Sequence, residues 1–397
     1  MDAPLAGVRV VEVASYVAVP AAGAMLADLG AEVVKVEVPN GEIYRHGRPK
    51  FSGYDSDFPE NPAFHMDNKG KRSIGLDLTR PEACEALRRM IDRAEIFITN
   101  LLPARREKYG VDHESLLARH PRLLVGAISG YGHGGEAANW PAFDYSTYWA
   151  RTGMMEVMRD EGAPPSMQRP AVGDHAAAVN LVCGLLAAMR LRDATGEGRY
   201  VDVSLLQTGL HILGTDIANA LVTREPPKRH DRRATPNPLW NSYPVAGDRW
   251  LLLVMIEAGR YWPQFCRAIE RPELLADPRF ADGWGRAENC RELIAEIEAT
   301  LMQRTLDEWQ PVLDAGGIIW APVQRVEEAI DDPQARAMGY FHEVEHAEAG
   351  RFETVGPPFR IQGCELGARN AASPLGADAR EVLREAGLAE AEIDALI

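Results

Sequence analysis

Asp174 and His175 follow Gly173 at the mouth of a long uncharged run in this 397-residue chain, and a carboxylate so placed is able to do covalent chemistry. From Ala176 to Met189 the one ionisable side chain is Cys183. A helix that is apolar all round belongs inside a protein, so its first carboxylate is carried to the rim of the core. An ionised carboxylate at that rim can act as a nucleophile toward an activated acyl carbon. Asp is equally a favoured helix N-cap, stabilised at that end by about 0.3–1 kcal/mol. Most aspartates so placed only cap, and the residues alone leave cap and nucleophile side by side. His175 invites a reading as a base, but adjacent helix residues diverge by about 100°, so the pair need not face one substrate. Asp144, in Pro141–Tyr145 (PAFDY), is a second carboxylate that can serve a site or cap a helix. His133 stands among glycines in Gly130–Gly135 (GYGHGG), where a ligand can approach the backbone, although a plain loop histidine has the same surroundings.

Other chemistries lack their signatures. No metal centre is expected from the ten histidines, and no CxxC pair occurs among five scattered cysteines. Neither a Walker phosphate loop nor a GxSxG elbow is present. The net charge of −15 argues against nucleic-acid and anionic-membrane partners. No basic leader segment opens the chain and no unbroken run of about 18 apolar residues occurs, so the expectation is a cytoplasmic protein with no membrane partner. The length and the 46% apolar, 25% charged composition suit a two-domain globular chain.

The elements that would position these residues follow from periodicity. Gly7–Val13 is a valine-rich strand, Pro20–Leu29 a helix ended by Gly30, and Glu32–Glu37 a second strand. This βαβ start implies a parallel sheet, and its first turn, Ala14–Pro20, holds no GxGxxG, which disfavours a nicotinamide cofactor. Residues 39–70 read as a long polar loop. Thr79–Glu82 reads as a capping box before a helix, followed by strands Ile96–Thr99 and Leu123–Ser129. Helices are expected over Tyr145–Met158 and Leu205–Val222, flanking the Asp174 helix and strand Tyr200–Ser204. Prolines and basic residues over Arg224–Pro238 suggest a linker into a smaller domain, with strand Trp250–Ile256 and helices near 260–270, 288–303 and 305–315. His342–Thr354 reads as a hairpin turning at Ala349 and Gly350, and two short helices end the chain.

Several blocks, in order along the chain, resemble the family III CoA-transferases (the CaiB/BaiF, or formyl-CoA transferase, group). They are Gly7–Val13 (GVRVVEV), Pro20, Leu26–Glu37 (LADLGAEVVKVE), Asn68–Leu78 (NKGKRSIGLDL), Ser129–Gly132 (SGYG), Gly196–Leu205 (GEGRYVDVSL) and Ser373–Gly376 (SPLG). The resemblance implies an α/β fold: a Rossmann-like parallel-sheet large domain built from both chain ends, plus a smaller α+β domain. The expected division is 1–223 for the large domain, 224–325 for the linker and small domain, and 326–397 for the return. It further implies an interlocked homodimer, no permanently bound cofactor, and CoA or acyl-CoA as substrate with a carboxylic acid as acceptor.

In this family Asp174 matches the catalytic aspartate, which passes CoA through anhydride and thioester intermediates. The CoA-contacting positions match Ser15, Val17, Ala18, Leu76, Asn100, Leu101, Lys108 and Tyr109. Two departures stand out. Val38 occupies a position that can be arginine for the nucleotide phosphates, leaving Arg45, Arg48 or Lys71 as substitutes. Glu257–Arg260 (EAGR) stands where the formyl-CoA enzymes carry a glycine-rich lid, which argues against a formyl/oxalate pair. Two alternatives remain: an α-methylacyl-CoA racemase, whose His-Asp pair aligns with Phe143 and Asp144, and an acyl-CoA-binding protein without catalysis.

Overall fold

The valine-rich segments form six parallel strands: β1 (Arg9–Val13), β2 (Glu32–Glu37), β3 (Arg72–Gly75), β4 (Ile96–Thr99), β5 (Leu124–Ser129) and β6 (Arg199–Ser204). Their spatial order is β3-β2-β1-β4-β5-β6, so the chain reverses direction across the sheet between β1 and β4. The computed structural model describes residues 3–397, and side chains except those of Phe51 and Ser52. Met1 and Asp2, where the leader reading begins, lie outside the described residues. The chain divides into two compact units. One comprises residues 3–156, 166–227 and 334–397; the other comprises 157–165 and 228–333.

In the first unit, α1 (Ala18–Asp28), α2 (Pro62–Asn68), α3 (Pro81–Ile91), α4 (Pro103–Tyr109) and α5 (His113–Arg119) connect the first five strands. Then come α6 (Met154–Met158), whose last two residues count with the second unit, α7 (Val172–Thr195), α8 (Leu205–Ile212) and α9 (Gly214–Thr223). Apolar side chains cover both sheet faces. One layer gathers Val10, Val33, Ile98, Leu181 and Leu185 with α1 and α7; the other gathers Val11, Ile74, Phe97 and Val125 with α3. A parallel sheet covered on both faces gives a charged strand residue no route to water. Glu12 on β1 is accordingly fully buried between Lys35 and Lys71, at 3.0 and 2.8 Å. A Cβ at Gly23 of α1 would lie 2.0 Å from the Glu12 carboxylate, so the helix can cross there only with glycine. The antiparallel pair β10 (Phe341–His346) and β11 (Gly350–Val355) belongs to this unit, as do the last two helices.

In the second unit the antiparallel strands β7 (Trp240–Val245), β8 (Arg249–Val254) and β9 (Trp320–Pro322) pack with helices Ala258–Ala268, Cys290–Leu301 and Leu306–Ala315. Tyr243, Phe265, Phe280 and Trp309 fill its core. Glu257–Arg260 leads into the first of these helices instead of forming a flap.

Several elements depart from the sequence expectations. Residues 39–70 are not simply a loop: they contain α2 and bury Arg45, Phe64, His65 and Asp67. Thr79 forms no capping box; its hydroxyl and N–H bond Asp77, and α3 starts at Pro81. The 145–158 helix is a π-helical turn, Tyr145–Ala150, and then α6, separated at Gly153 with φ +89°. Residues 205–222 divide into α8 and α9 at Leu213. Helix α7 runs on to Thr195 and ends on left-handed Gly196. Its mean hydropathy of 1.5 over 18 residues would by itself allow a membrane span. It instead lies on α1, β5 and β6 as a core helix of the unit.

Candidate functional site

In open α/β sheets, ligands bind beyond the carboxyl ends of the strands where the order reverses, here β1 and β4. Asn100, just after β4, grips Ser15, just after β1, from both sides: its Oδ1 accepts the Ser15 N–H at 3.2 Å and its Nδ2 donates to the Ser15 carbonyl at 2.7 Å. Two expected CoA-contacting positions are thereby joined, with Leu101 next in the chain. Val17 and Ala18 are buried at the start of α1, so a ligand there meets their backbone and the helix N-terminus, which favours anions. Leu76 is 1% exposed within the core, so its side chain faces apolar neighbours such as Ile74. Lys108 is exposed on α4, its ammonium 5.9 Å from the Tyr109 ring.

The phosphate substitutes are corrected by burial. Arg45 is locked onto Glu37 and the Ser373 carbonyl, and stacks on Phe64 at 4.3 Å. Lys71 is spent on Glu12, Asn68 and the carbonyls of Pro20 and Asp67. Only Arg48 of the three is exposed.

The start of α7 is built by its neighbours. Asp174 is not the N-cap: the helix begins at Val172, preceded by Ala171 in the left-handed region at φ +67°, and Asp174 is its third residue. The cap comes from elsewhere. Buried Asp144 accepts the Gly173 N–H at 3.3 Å. That donor is therefore taken and is not free to hold an oxyanion. A Cβ at Gly173 would lie 2.4 Å from the Tyr148 ring, so glycine lets the first turn rest on that ring.

Electrostatics follow from this packing. The Asp174 carboxyl is pushed up to about 7, first by burial, then by the charge of Asp144, with Asp67 adding and His175 opposing. The expectation that the helix end holds Asp174 firmly ionised is thus overturned: desolvation and like charges outweigh the dipole. Asp144 is itself raised, because burial outweighs the N–H groups of Gly173, Tyr145 and Ala171. His175 bonds Asp67 through Nε2 at 2.9 Å. Burial would lower the imidazole, yet Asp67, Asp174 and Asp144 together raise it. Asp67 and Tyr44, whose hydroxyl is raised by burial and by the charges of Asp67 and Asp174, were not singled out in the sequence. Asp67 directly precedes the Asn68–Leu78 block, and its burial on α2 is the signal that only folding supplies.

His133 is placed apart from these groups. Its Nδ1 lies 2.7 Å from Asp202 on β6, with Tyr200 and His113 against its ring. The α-proton alternative finds no acid–base pair at 143–144: Phe143 carries no proton to transfer, and Asp144 is committed to the α7 cap. The expectation of no metal centre passed over His342–His346 (HEVEH), an HExxH spacing. That spacing serves zinc on a helix, whereas here it lies on β10, whose rise separates the two histidines by about 13 Å. His346 instead meets His65 and Glu60, with all three ligand-type atoms within 4.8 Å. His346 Nδ1 accepts the N–H groups of Glu348 and Ala349, which puts the ring proton on Nε2, the atom facing Glu60. That proton and Arg45, 3.6 Å from Glu60, stand where a cation would.

Comparisons with known proteins identify the family. A family model described as CoA-transferase family III matches residues 5–379. The (R)-2-hydroxy-4-methylpentanoate CoA-transferase of Clostridioides difficile is 31% identical over 391 residues, covering 98% of this chain and 97% of that protein. The cinnamoyl-CoA:phenyllactate CoA-transferase of Clostridium sporogenes is 31% identical over 401 residues, covering 98% and 95%. The crystal structure of a CAIB/BAIF family protein from Brucella suis matches with a TM-score of 0.87 at 28% identity, covering 97% of this chain and 100% of that one. The chain belongs to CoA-transferase family III and is a CoA-transferase.

Proposed function

We propose that this enzyme moves CoA from an acyl-CoA to a carboxylic acid by covalent catalysis on Asp174. The observation that carries the reading is a half-buried carboxylate on the first turn of α7, pushed up to about 7. A carboxylate of that basicity is a better nucleophile than an ordinary one and is still about half ionised near neutrality. It attacks the thioester carbonyl and expels CoA thiolate, leaving a mixed anhydride. The thiolate attacks the aspartyl carbonyl carbon and expels the donor acid, leaving an aspartyl-CoA thioester. The acceptor carboxylate displaces the thiolate to form a second anhydride. The thiolate then attacks the acceptor's acyl carbon and restores the Asp174 carboxylate. Ser15, Val17, Ala18, Asn100, Leu101, Lys108 and Tyr109 are proposed to hold the CoA, with Leu76 beneath them and Arg48 as a further phosphate partner.

His175, held by Asp67, is proposed as an auxiliary positive charge beside Asp174, and Asp144 as the group that orients the helix start. CoA and acyl-CoA act as substrates, and the chain's relatives support this: both are named CoA-transferases, one of them a cinnamoyl-CoA:phenyllactate CoA-transferase. Hydroxylamine trapping during turnover is expected to mark Asp174, and Asp174→Ala to lower transfer by at least about 10³-fold. Unimpaired transfer by that variant would sink the reading.

A homodimer is part of the same proposal. Val179, Leu186, Leu210, Ile212, Leu221 and Val222 are exposed on α7, α8 and α9, where a second chain would cover them. Light scattering is expected to return twice the chain mass, and a monomer would refute it. The five free thiols fit a reducing cytoplasm.

A further inference from the structure

Two open aromatic rings are linked to Asp174 through the groups around it. Tyr16 lies in the turn after β1 with φ +64°, a conformation uncommon for an aromatic residue and one that gathers at ligand clamps. Its N–H is held there by the Glu42 carboxylate, which Lys35 in turn fixes at 2.8 Å. The Tyr16 ring is 41% exposed and meets Phe143 edge-on, with centroids 5.4 Å apart at 87°. Phe143 is 56% exposed, yet its backbone is bound to Ser146 and Thr147, so an open ring sits on a fixed base. Tyr44 closes the row 6.4 Å from Tyr16 and senses the charge of Asp174. Phe143 precedes Asp144, which caps the Asp174 helix, so the row of rings is tied at one end to the β1 turn and at the other to the start of α7.

The charges around Asp174 point the same way. Those acting on it come from Asp144, Asp67 and His175, and the one basic group among them, His175, is already bonded to Asp67. A second carboxylate on the acyl group would meet like charge in a partly desolvated space. A neutral apolar group would meet open aromatic faces.

We propose, resting on Asp174 as the nucleophile, that the acyl group carried is neutral and bulky, aryl or branched aliphatic, seated against Tyr16 and Phe143, and that dicarboxylic acyl groups are excluded. Each acyl-CoA is to be exchanged with its own isotope-labelled free acid and read by mass spectrometry, which removes the choice of acceptor. The kcat/KM for 3-phenylpropanoyl-CoA and isovaleryl-CoA is expected to exceed that for succinyl-CoA by at least about 100-fold. Tyr16→Ala and Phe143→Ala are expected to lower the phenylpropanoyl-to-acetyl ratio by about 10-fold, and Phe143→Arg to raise the succinyl-to-phenylpropanoyl ratio by at least about 10-fold. Succinyl exchange as fast as phenylpropanoyl exchange, or ratios unmoved in all three variants, overturns the proposal. If no acyl-CoA exchanges and hydroxylamine marks no Asp174 adduct, the nucleophile reading fails, and the substrate proposal fails with it.

Discussion

As the proposed nucleophile, Asp174 balances two demands that oppose each other. A basic carboxylate attacks a thioester faster, while a protonated one does not attack at all. Burial and the neighbouring charge of Asp144 place the carboxyl at about 7, where both demands are partly met. The rate of the first half-reaction is therefore expected to rise with pH and reach half its maximum near 7, because the ionised form is the reactive one. Asp144→Asn removes the like charge but keeps an oxygen to accept the Gly173 N–H. Its midpoint is expected to fall by about one unit, read from CoA release against pH. An unmoved midpoint would show that Asp144 exerts no field on the nucleophile.

Helix α7 shows how an element aims a residue that its own sequence leaves free. Its first turn is set by a left-handed Ala171, by the absence of a Cβ at Gly173 over Tyr148, and by a cap reaching in from residue 144. Gly173→Ala puts a methyl 2.4 Å from a ring carbon, so the turn or the ring must move. Transfer is expected to drop by at least about 10-fold with far-ultraviolet dichroism unchanged, since a displacement near 1 Å at reacting atoms costs about that or more. Much of this element was legible in the sequence: the run from Ala176 to Met189 marks a core helix, although the helix continues to Thr195. Its start was not, because the cap is contributed 29 residues away and periodicity carries no information about such a contact.

Across the whole molecule, buried ions tie the site to the sheet. Glu12 links β2 through Lys35 and the segment before β3 through Lys71, and Lys35 passes the connection to Glu42 and the Tyr16 turn. Held by several carboxylates, Lys35 is raised despite burial, whereas burial takes Lys71 down to about 8 against the pull of Glu12. Removing the shared carboxylate strands two ammonium groups away from water. Glu12→Ala is expected to cost about 3–5 kcal/mol in denaturant unfolding, and a loss under about 1 kcal/mol would refute the network's role. The first unit is also closed by its distant carboxyl-terminal part: Ser373 bonds the Lys71 carbonyl, Asp378 the Ser73 N–H, and Ala368 the Asp28 carboxylate.

The sequence by itself determined the strands β1, β2 and β4–β6, the doubly wound class they imply, and the resemblance to a family whose catalytic aspartate matches Asp174. Alternation, helix ends and ordered motif blocks are local and survive without a partner. Only the tertiary structure decided that Arg45 and Lys71 are internal struts, since their availability depends on Glu37 and Glu12 lying beside them. The hairpin expected over His342–Thr354 already put HEVEH on a strand; the fold decided that His346 meets His65 and Glu60. Above all it decided the basicity of Asp174. That property comes from desolvation and from two carboxylates brought from α2 and the segment before the π-helical turn, and neither has a trace at residue 174. Charge and solvent exposure are properties of position in space, and the chain acquires them only when it folds.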